Sequence, residues 1–291
     1  MTQGIGLPPI LAMGSDEMKR QVAPAVLSGE KIIALGITEA SGGSDVASIR
    51  TRAERVGNRY VVNGGKMFIT SGMRAAYVTV AVRTGGEGMG GLSLMLIDAD
   101  MPGFTRTPLE KMGWHCSDTA ALYFENVEVP PENLIGPENA GFMGIMRNFN
   151  SERLGMAHGA CAYARVCLEE AAAWARERET FGKSLVGHQS IRIKLADMAR
   201  QVSATQAWVD QCAWQVRAGK TRPADFAMLK VQATRMLEAV ARDAAQVLGG
   251  ASYLKGSKVE RIYREVRVNA IGGGSEEILL DLAGRQLFAG R

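Results

Sequence analysis

The feature that most constrains this chain is a change of hydrophobic period near Pro137. Between about residues 31 and 140 the apolar residues form short β-type runs; beyond that point they recur at helical spacing over many turns. Tyr60-Val61-Val62-Asn63-Gly64-Gly65 reads as a strand entering a tight turn, with Lys66-Met67-Phe68-Ile69-Thr70 leaving it. Two further β-rich runs, 77–82 and 92–97, flank a Gly-rich loop at 85–91, and the runs 121–124 and 127–130 finish this half. No helical pattern intervenes, which excludes a Rossmann unit and predicts an antiparallel barrel or sandwich. Ahead of it, residues 7–30 read as short helices, with Gly29 at a helix stop.

The second half reads as helices over 151–177, 188–218, 223–248 and 275–288. In one, Ile191, Leu195, Met198 and Val202 fall at i, i+4, i+7 and i+11; in the next, Leu229, Ala233, Met236, Val240 and Val247 share a face. Arg222-Pro223 and Gly249-Gly250 mark two corners, and long helices with short connections predict a four-helix bundle. The expected fold is therefore α+β: a short helical segment over 1–32, a β domain over 33–140 and a helical bundle over 141–291.

Composition removes several function classes. Lys and Arg number 34 against 30 Asp and Glu, a net +4 over 291 residues, too weak a balance for a nucleic-acid surface. No apolar run approaches membrane-spanning length, and no secretion signal stands at the N-terminus, so a cytoplasmic location is expected. The four cysteines form no C-x-x-C pair and the three histidines no H-E-x-x-H helix, so no metal site is expected. Cys161, Cys167 and His158 read as core or face residues of the first long helix.

Four segments invite a chemical reading. In 36–48, which includes Ile37, Thr38, Gly43 and Ser44, glycines allow close backbone approach and hydroxyls can donate to phosphate or to a ring carbonyl; a plain loop would look the same. Arg178-Glu179-Thr180-Phe181-Gly182-Lys183 could hold a nucleotide or could simply cap a helix. Gln246 with Gly249-Gly250 is a plausible helix stop. Gly272-Gly273-Gly274 running into Ser275 sets bare backbone beside a helix N-terminus, suited to an anion or oxyanion, or forms a flexible corner.

In order and spacing these segments resemble the acyl-CoA dehydrogenase family of flavoproteins, from about Ile5 to Leu287. Thr38-Glu39 and Gly42-Gly43-Ser44-Asp45 match its first motif, with Ala40 where a proline is frequent. Met67-Phe68-Ile69-Thr70 is similar to its flavin-packing strand, and Arg178, Thr180, Phe181 and Gly182 to the stretch that reaches a neighbouring subunit's FAD. Gln246, Gly249 and Gly250 resemble the element beside the ADP portion, although Ser252 and Gly256 depart from the pattern before Arg261 and Glu265 restore it. The resemblance implies FAD held by Ile37, Thr38, Gly43, Ser44, Phe68, Thr70, Arg178, Thr180, Phe181, Gln246, Gly249, Gly250, Ser275 and Glu277. It assigns the acyl-CoA substrate to Ser44, Arg153, Gly272 and Gly274. It further implies an electron-transfer flavoprotein as acceptor and a homo-oligomer, tetramer or dimer.

One departure touches the chemistry. Many members carry a catalytic Glu where this chain has Gly273, while the isovaleryl-CoA and long-chain members carry it in a Glu-Arg-Leu run that matches Glu152-Arg153-Leu154. The resemblance therefore implies Glu152 as the base and the Gly273 N–H as part of an oxyanion hole. On position alone, a Glu after Ser151 in a first helical turn is ordinary electrostatics. A Gly at 273 also removes bulk beside the acyl chain, so a long or branched acyl group is expected. An acyl-CoA oxidase and a non-catalytic acyl-CoA-binding member are the competing readings. Residues 5–30 match the end of the family's N-terminal helical domain, whose front part is expected to be missing.

Overall fold

The computed structural model describes residues 3–289, which divide into two compact units, the first ending at Phe149 and the second beginning at Asn150. The first unit opens with three helices, α1 (Gln3–Gly6), α2 (Pro8–Met13) and α3 (Asp16–Leu27). The third is set by its sequence: the Ser15 hydroxyl accepts the Met18 N–H at 3.1 Å, Asp16 and Glu17 occupy the first turn, and Met18, Val22 and Val26 repeat every four residues on the buried face.

Seven strands follow: β1 (Ile33–Gly36), β2 (Arg52–Val56), β3 (Arg59–Thr70), β4 (Tyr77–Arg83), β5 (Leu92–Asp98), β6 (Phe104–Pro108) and β7 (Thr119–Val129). They form one sheet in the order β1-β4-β2-β3-β7-β6, with β5 added on β4. Most pairings are antiparallel as expected, but β4 runs parallel to β1 and meets β2 in parallel through Arg52 and Arg83. Every residue of β4 is buried, so both of its faces need apolar cover. Val78, Val80 and Val82 enter one core with Met95, Ile97, Val62 and Leu122. Tyr77 and Ala81 enter another with Leu92, Leu94, Leu96, the helical Ile10 and Val22, and Leu7 just ahead of α2. The period of two thus sorts one sheet's residues into two cores. Each fully buried Val or Leu contributes about 1.5–3 kcal/mol.

The tight turn expected at Gly64-Gly65 is not there. β3 runs unbroken through it, paired to β7 with a register shift between Val62 and Gly64. Gly64 takes φ +141°, and a Cβ on it would stand 2.7 Å from Thr51 Cα and Oγ1. The glycine serves a close approach rather than a turn. Likewise the two expected runs 121–124 and 127–130 belong to a single strand, β7.

The second unit holds most of α4 (Gly141–Glu177), the hairpin β8 (Glu179–Thr180) and β9 (Lys183–Ser184), α5 (Gln189–Arg217), α6 (Pro223–Leu248), α7 (Lys258–Glu265), α8 (Arg267–Ile271) and α9 (Glu276–Phe288). The bundle core draws Ala157, Ala164 and Ala171 from α4, Met198, Val202 and Val209 from α5, and Leu229, Met236 and Val240 from α6. The helix α6 packs against α5, α7, α8 and α9 and is buried on most sides. The stretch 178–183, read either as a nucleotide contact or as a helix cap, leads into the hairpin at 179–184, with Phe181 at φ +50° and Gly182 at φ +76° in its two-residue turn. The first long helix begins ten residues earlier than its pattern suggested, which puts Glu152 in the helix interior and removes the first-turn explanation for it. No helix among the described residues is long and apolar enough to cross a membrane.

One buried ion pair organises the first unit. Glu39 accepts the Arg50 and Thr51 N–H groups at 2.8 and 2.9 Å and the Lys66 ammonium at 2.7 Å; Lys66, fully buried, also donates to Ile37 O at 3.2 Å. Burial pushes the Glu39 carboxyl up, but the Lys66 charge and these hydrogen bonds together hold it below the ordinary carboxylate value. Burial lowers Lys66 to about 8, with Glu39 opposing. Lys66→Met leaves Glu39 buried without its counter-charge and is expected to cost about 3–5 kcal/mol. Denaturant unfolding of the two proteins at pH 7 checks this, and a loss below about 1 kcal/mol would contradict it.

Candidate active site and family

The segment 37–44 folds around Glu39: the Glu39 and Gly42 backbones exchange hydrogen bonds at 3.1 Å, and the Met67 N–H donates to Thr38 O at 2.8 Å. That last bond ties the loop to the end of β3. There Phe68 is exposed at φ +61°, between half-buried Met67 and buried Ile69, while Thr38 and Thr70 are half-buried and Gly43 and Ser44 lie open. A Cβ on Gly43 would meet Thr38 Cγ2 at 3.1 Å, so the loop closes tightly on itself. Ile37 is buried and faces the core of this unit. An exposed aromatic face flanked by hydroxyls and free backbone is a donor set that fits a planar heteroaromatic ring bearing carbonyls.

In the second unit, Glu152, Arg153, Lys230 and the turn entering α9 come together. Arg153 is buried; its Nε donates to Gly273 O at 3.2 Å and an Nη to Asn150 Oδ1 at 3.5 Å. Lys230 Nζ donates to Gly274 O at 2.9 Å. Gly273 takes φ +68° and Gly274 φ +105°. A Cβ on Gly273 would stand 2.8 Å from Met156 Sδ, so a side chain there needs both a left-handed backbone and a displaced methionine. Gly272 is less confined, its nearest atom being Val268 O at 3.4 Å from such a Cβ.

Glu152 Oε2 is buried, and among the described residues it has no hydrogen-bond partner. Desolvation pushes this carboxyl above the ordinary value, and the Arg153 and Lys230 charges pull it part of the way back. A half-desolvated, unpartnered carboxylate beside two cations can take a proton from a ligand seated against it.

The remaining expected residues lie at the surface of the second unit. Phe181 is 97% exposed at the hairpin tip, its ring 6.2 Å from that of His188, whose Nε2 is 3.2 Å from Thr180 O. Arg178, Gln246, Gly249 and Gly250 are exposed, and Thr180 is half-buried. Ser275 is the N-cap of α9; Glu277, exposed in its first turn, is held below its ordinary value by its own N–H and the Ser275 hydroxyl. Among the described residues no group of His, Cys, Asp and Glu could hold a metal ion.

Sequence reasoning missed the pairing of Lys66 with Glu39, and it missed Lys230 and Met156. Lys66 and Glu39 lie 27 positions apart, and Lys230 reads as an ordinary charge on a helix. Met156 follows Glu152 by four residues, which puts both on one helix face, but nothing in the sequence joins it to Gly273.

Comparison with known proteins gives one family for both units. Residues 139–288 match the acyl-CoA dehydrogenase C-terminal domain and residues 34–127 the acyl-CoA dehydrogenase middle domain. The crystal structure of a probable acyl CoA dehydrogenase from Mycobacterium abscessus is 49% identical with a TM-score of 0.97, over 98% of this chain and 76% of that one. Acyl-CoA dehydrogenase AFT10-1 of Alternaria alternata is 40% identical over 96% of this chain and 67% of its own. Mitochondrial isovaleryl-CoA dehydrogenase of Oryza sativa is 36% identical over 94% and 68%. The chain belongs to the acyl-CoA dehydrogenase family of FAD-dependent oxidoreductases. It spans about two thirds to three quarters of the length of these relatives.

The Glu152 environment has a consequence for stability. A carboxyl raised in the folded state stabilises fully below its unfolded pKa, and that contribution falls away as pH rises towards the folded value. Glu152→Gln is therefore expected to melt with the wild type near pH 4.5 and above it at pH 8, by about 2–4 °C. Thermal melts at the two pH values check the sign; a lower melting temperature at pH 8 would contradict it.

Proposed function

We propose that this chain dehydrogenates an acyl-CoA thioester to the trans-2-enoyl-CoA, with Glu152 as the base that removes the α-proton. The observation that carries the assignment is the buried, unpartnered Oε2 of Glu152 beside a turn whose Gly273 offers no carboxylate. An α-carbon is a weak acid, so the charge that develops on the thioester oxygen needs donors already in place. The Gly273 N–H is assigned that task, and Arg153 holds the same residue through its carbonyl. Burial raises the Glu152 carboxyl, and the Arg153 and Lys230 charges oppose that rise and favour its ionised form.

FAD, when bound, takes up the β-hydrogen as hydride. Thr38, Gly43, Ser44, Phe68 and Thr70 of the first unit are assigned to hold it, with Ile37 as support beneath the loop. Exposed Arg178 and Phe181, with Thr180, are assigned to the cofactor of a neighbouring subunit in a homo-oligomer, Gln246, Gly249 and Gly250 to the ADP portion, and Ser275 and Glu277 to the FAD. Ser44, Gly272 and Gly274 are assigned to the acyl-CoA. The acceptor is an electron-transfer flavoprotein. Four free thiols, three of them buried, fit a reducing, cytoplasmic compartment. Met156 fills the Cβ position of Gly273, but no carboxylate extends beyond it, and the substrate is assigned as a long or branched acyl group rather than a short straight one.

Anaerobic addition of acyl-CoA thioesters to the holoprotein, followed by flavin absorbance, tests the reading. Wild type is expected to bleach fastest with branched or long acyl chains, and Glu152→Gln about 10³-fold more slowly. Equal bleaching by the two proteins would remove Glu152 as the base, and a profile peaking at butyryl-CoA would overturn the substrate class. Bound cofactor with no bleaching at all would make the chain a non-catalytic member, and stoichiometric peroxide in air would make it an oxidase.

A further inference from the structure

Lys230 is fully buried in α6, where a Met would fill the same volume without the cost of desolvating a charge. Its ammonium reaches Gly274 O at 2.9 Å, and one residue earlier Arg153 of α4 reaches Gly273 O at 3.2 Å. Two cations from two helices thus hold two successive carbonyls of the turn that enters α9. A trans peptide is planar, with its C=O and N–H directed oppositely, so fixing these two oxygens turns the Gly274 and Ser275 N–H groups to the other side. Neither glycine has a side chain to brace it, and both sit at positive φ, so without the clamp this backbone has wide freedom.

The charges that face Lys230 come from α4, α8 and α9. Glu276 on α9 and Glu152 on α4 favour the ammonium; Arg153 on α4 and Arg267 on α8 oppose it. Burial outweighs them all and brings Lys230 to about 8, so it is cationic at pH 7. Glu152 is faced by Arg153 from its own helix and by Lys230 from α6.

We propose that Lys230 is a positioning residue for the reaction: it clamps the Gly273–Gly274 turn in place and supplies the second positive charge beside the Glu152 carboxylate. This rests on Glu152 being the base. Removing the charge makes Glu152 harder to ionise and frees the turn, so both the pH dependence and the rate should respond. A lysine that merely fills the helix core would alter neither once the protein is folded.

The test is the pH profile of flavin reduction by a saturating acyl-CoA in holoenzyme carrying Lys230→Met, Lys230→Arg or Glu152→Gln. Lys230→Met is expected to move the acidic limb up by about one pH unit and to lower the limiting rate about tenfold. Lys230→Arg is expected to return the limb to the wild-type position. Lys230→Gln, which keeps a donor and drops the charge, stands in if the methionine variant does not fold and is expected to move the limb equally. A readout without turnover accompanies it: the melting increment from Glu152→Gln at pH 8 should grow in the Lys230→Gln background. If Glu152→Gln reduces the flavin as fast as wild type, the base assignment fails and this proposal with it. If Glu152→Gln is slow while Lys230→Met and Lys230→Gln keep the wild-type limb, rate and melting increment, the proposal for Lys230 alone is overturned.

Discussion

The turn at Gly273–Gly274 is the constraint from which the rest of the site follows. Its backbone lies in the left-handed region, and the Met156 thioether occupies the space a Cβ on Gly273 would need. A carboxylate at that point would require a strained residue and a moved methionine, and the proposed reading takes the proton acceptor from another element. Helix α4 supplies one: Glu152 lies one turn before Met156, and the same helix that fills the space beside Gly273 carries a carboxylate on the same face. The replacement is a matter of helix geometry. Four residues of spacing join the group that crowds the turn to the carboxylate proposed as the base.

Around this point the second unit spends buried charge freely. Arg153, Lys230 and Glu152 sit in a bundle otherwise packed with alanine, leucine and methionine, and two of the three are tied to backbone carbonyls of the turn. Burying such groups opposes folding unless each finds a partner. Glu152 Oε2 has none among the described residues, which is the state a base needs before its substrate arrives. The first unit solves a different problem with the same device. There Glu39 and Lys66 are fully engaged with each other and with the backbone, and their task is to hold a glycine-rich loop against the end of β3.

Much of this was legible in the sequence. Change of period marked the passage from sheet to bundle, and the repeats on α5 and α6 named core residues such as Met198, Leu229 and Val240. Where reading failed, glycine was the usual cause. Gly64 carries the same signal for a turn as for a close approach, and only the position of Thr51 against it decides between them. The start of α4 was hidden by Gly141 and Gly144, poor helix formers that are needed because the helix presses on β5: a Cβ on Gly141 would stand 2.5 Å from the Ser93 carbonyl carbon. That misplaced start is what made Glu152 look like an ordinary first-turn acid. Lys230 and the Glu39–Lys66 pair escaped for another reason, since long-range ion pairs leave no period in a chain.

The central claim is that Glu152, on α4, takes the proton that a residue at position 273 cannot. Exchange of a thioester's α-hydrogens for deuterium reads that step by itself, in holoenzyme held reduced so that no hydride can leave. The account requires wild type to exchange the α-hydrogens and Glu152→Gln to do so at least about 100-fold more slowly. Equal exchange by the two proteins would contradict it and send the search for the base elsewhere.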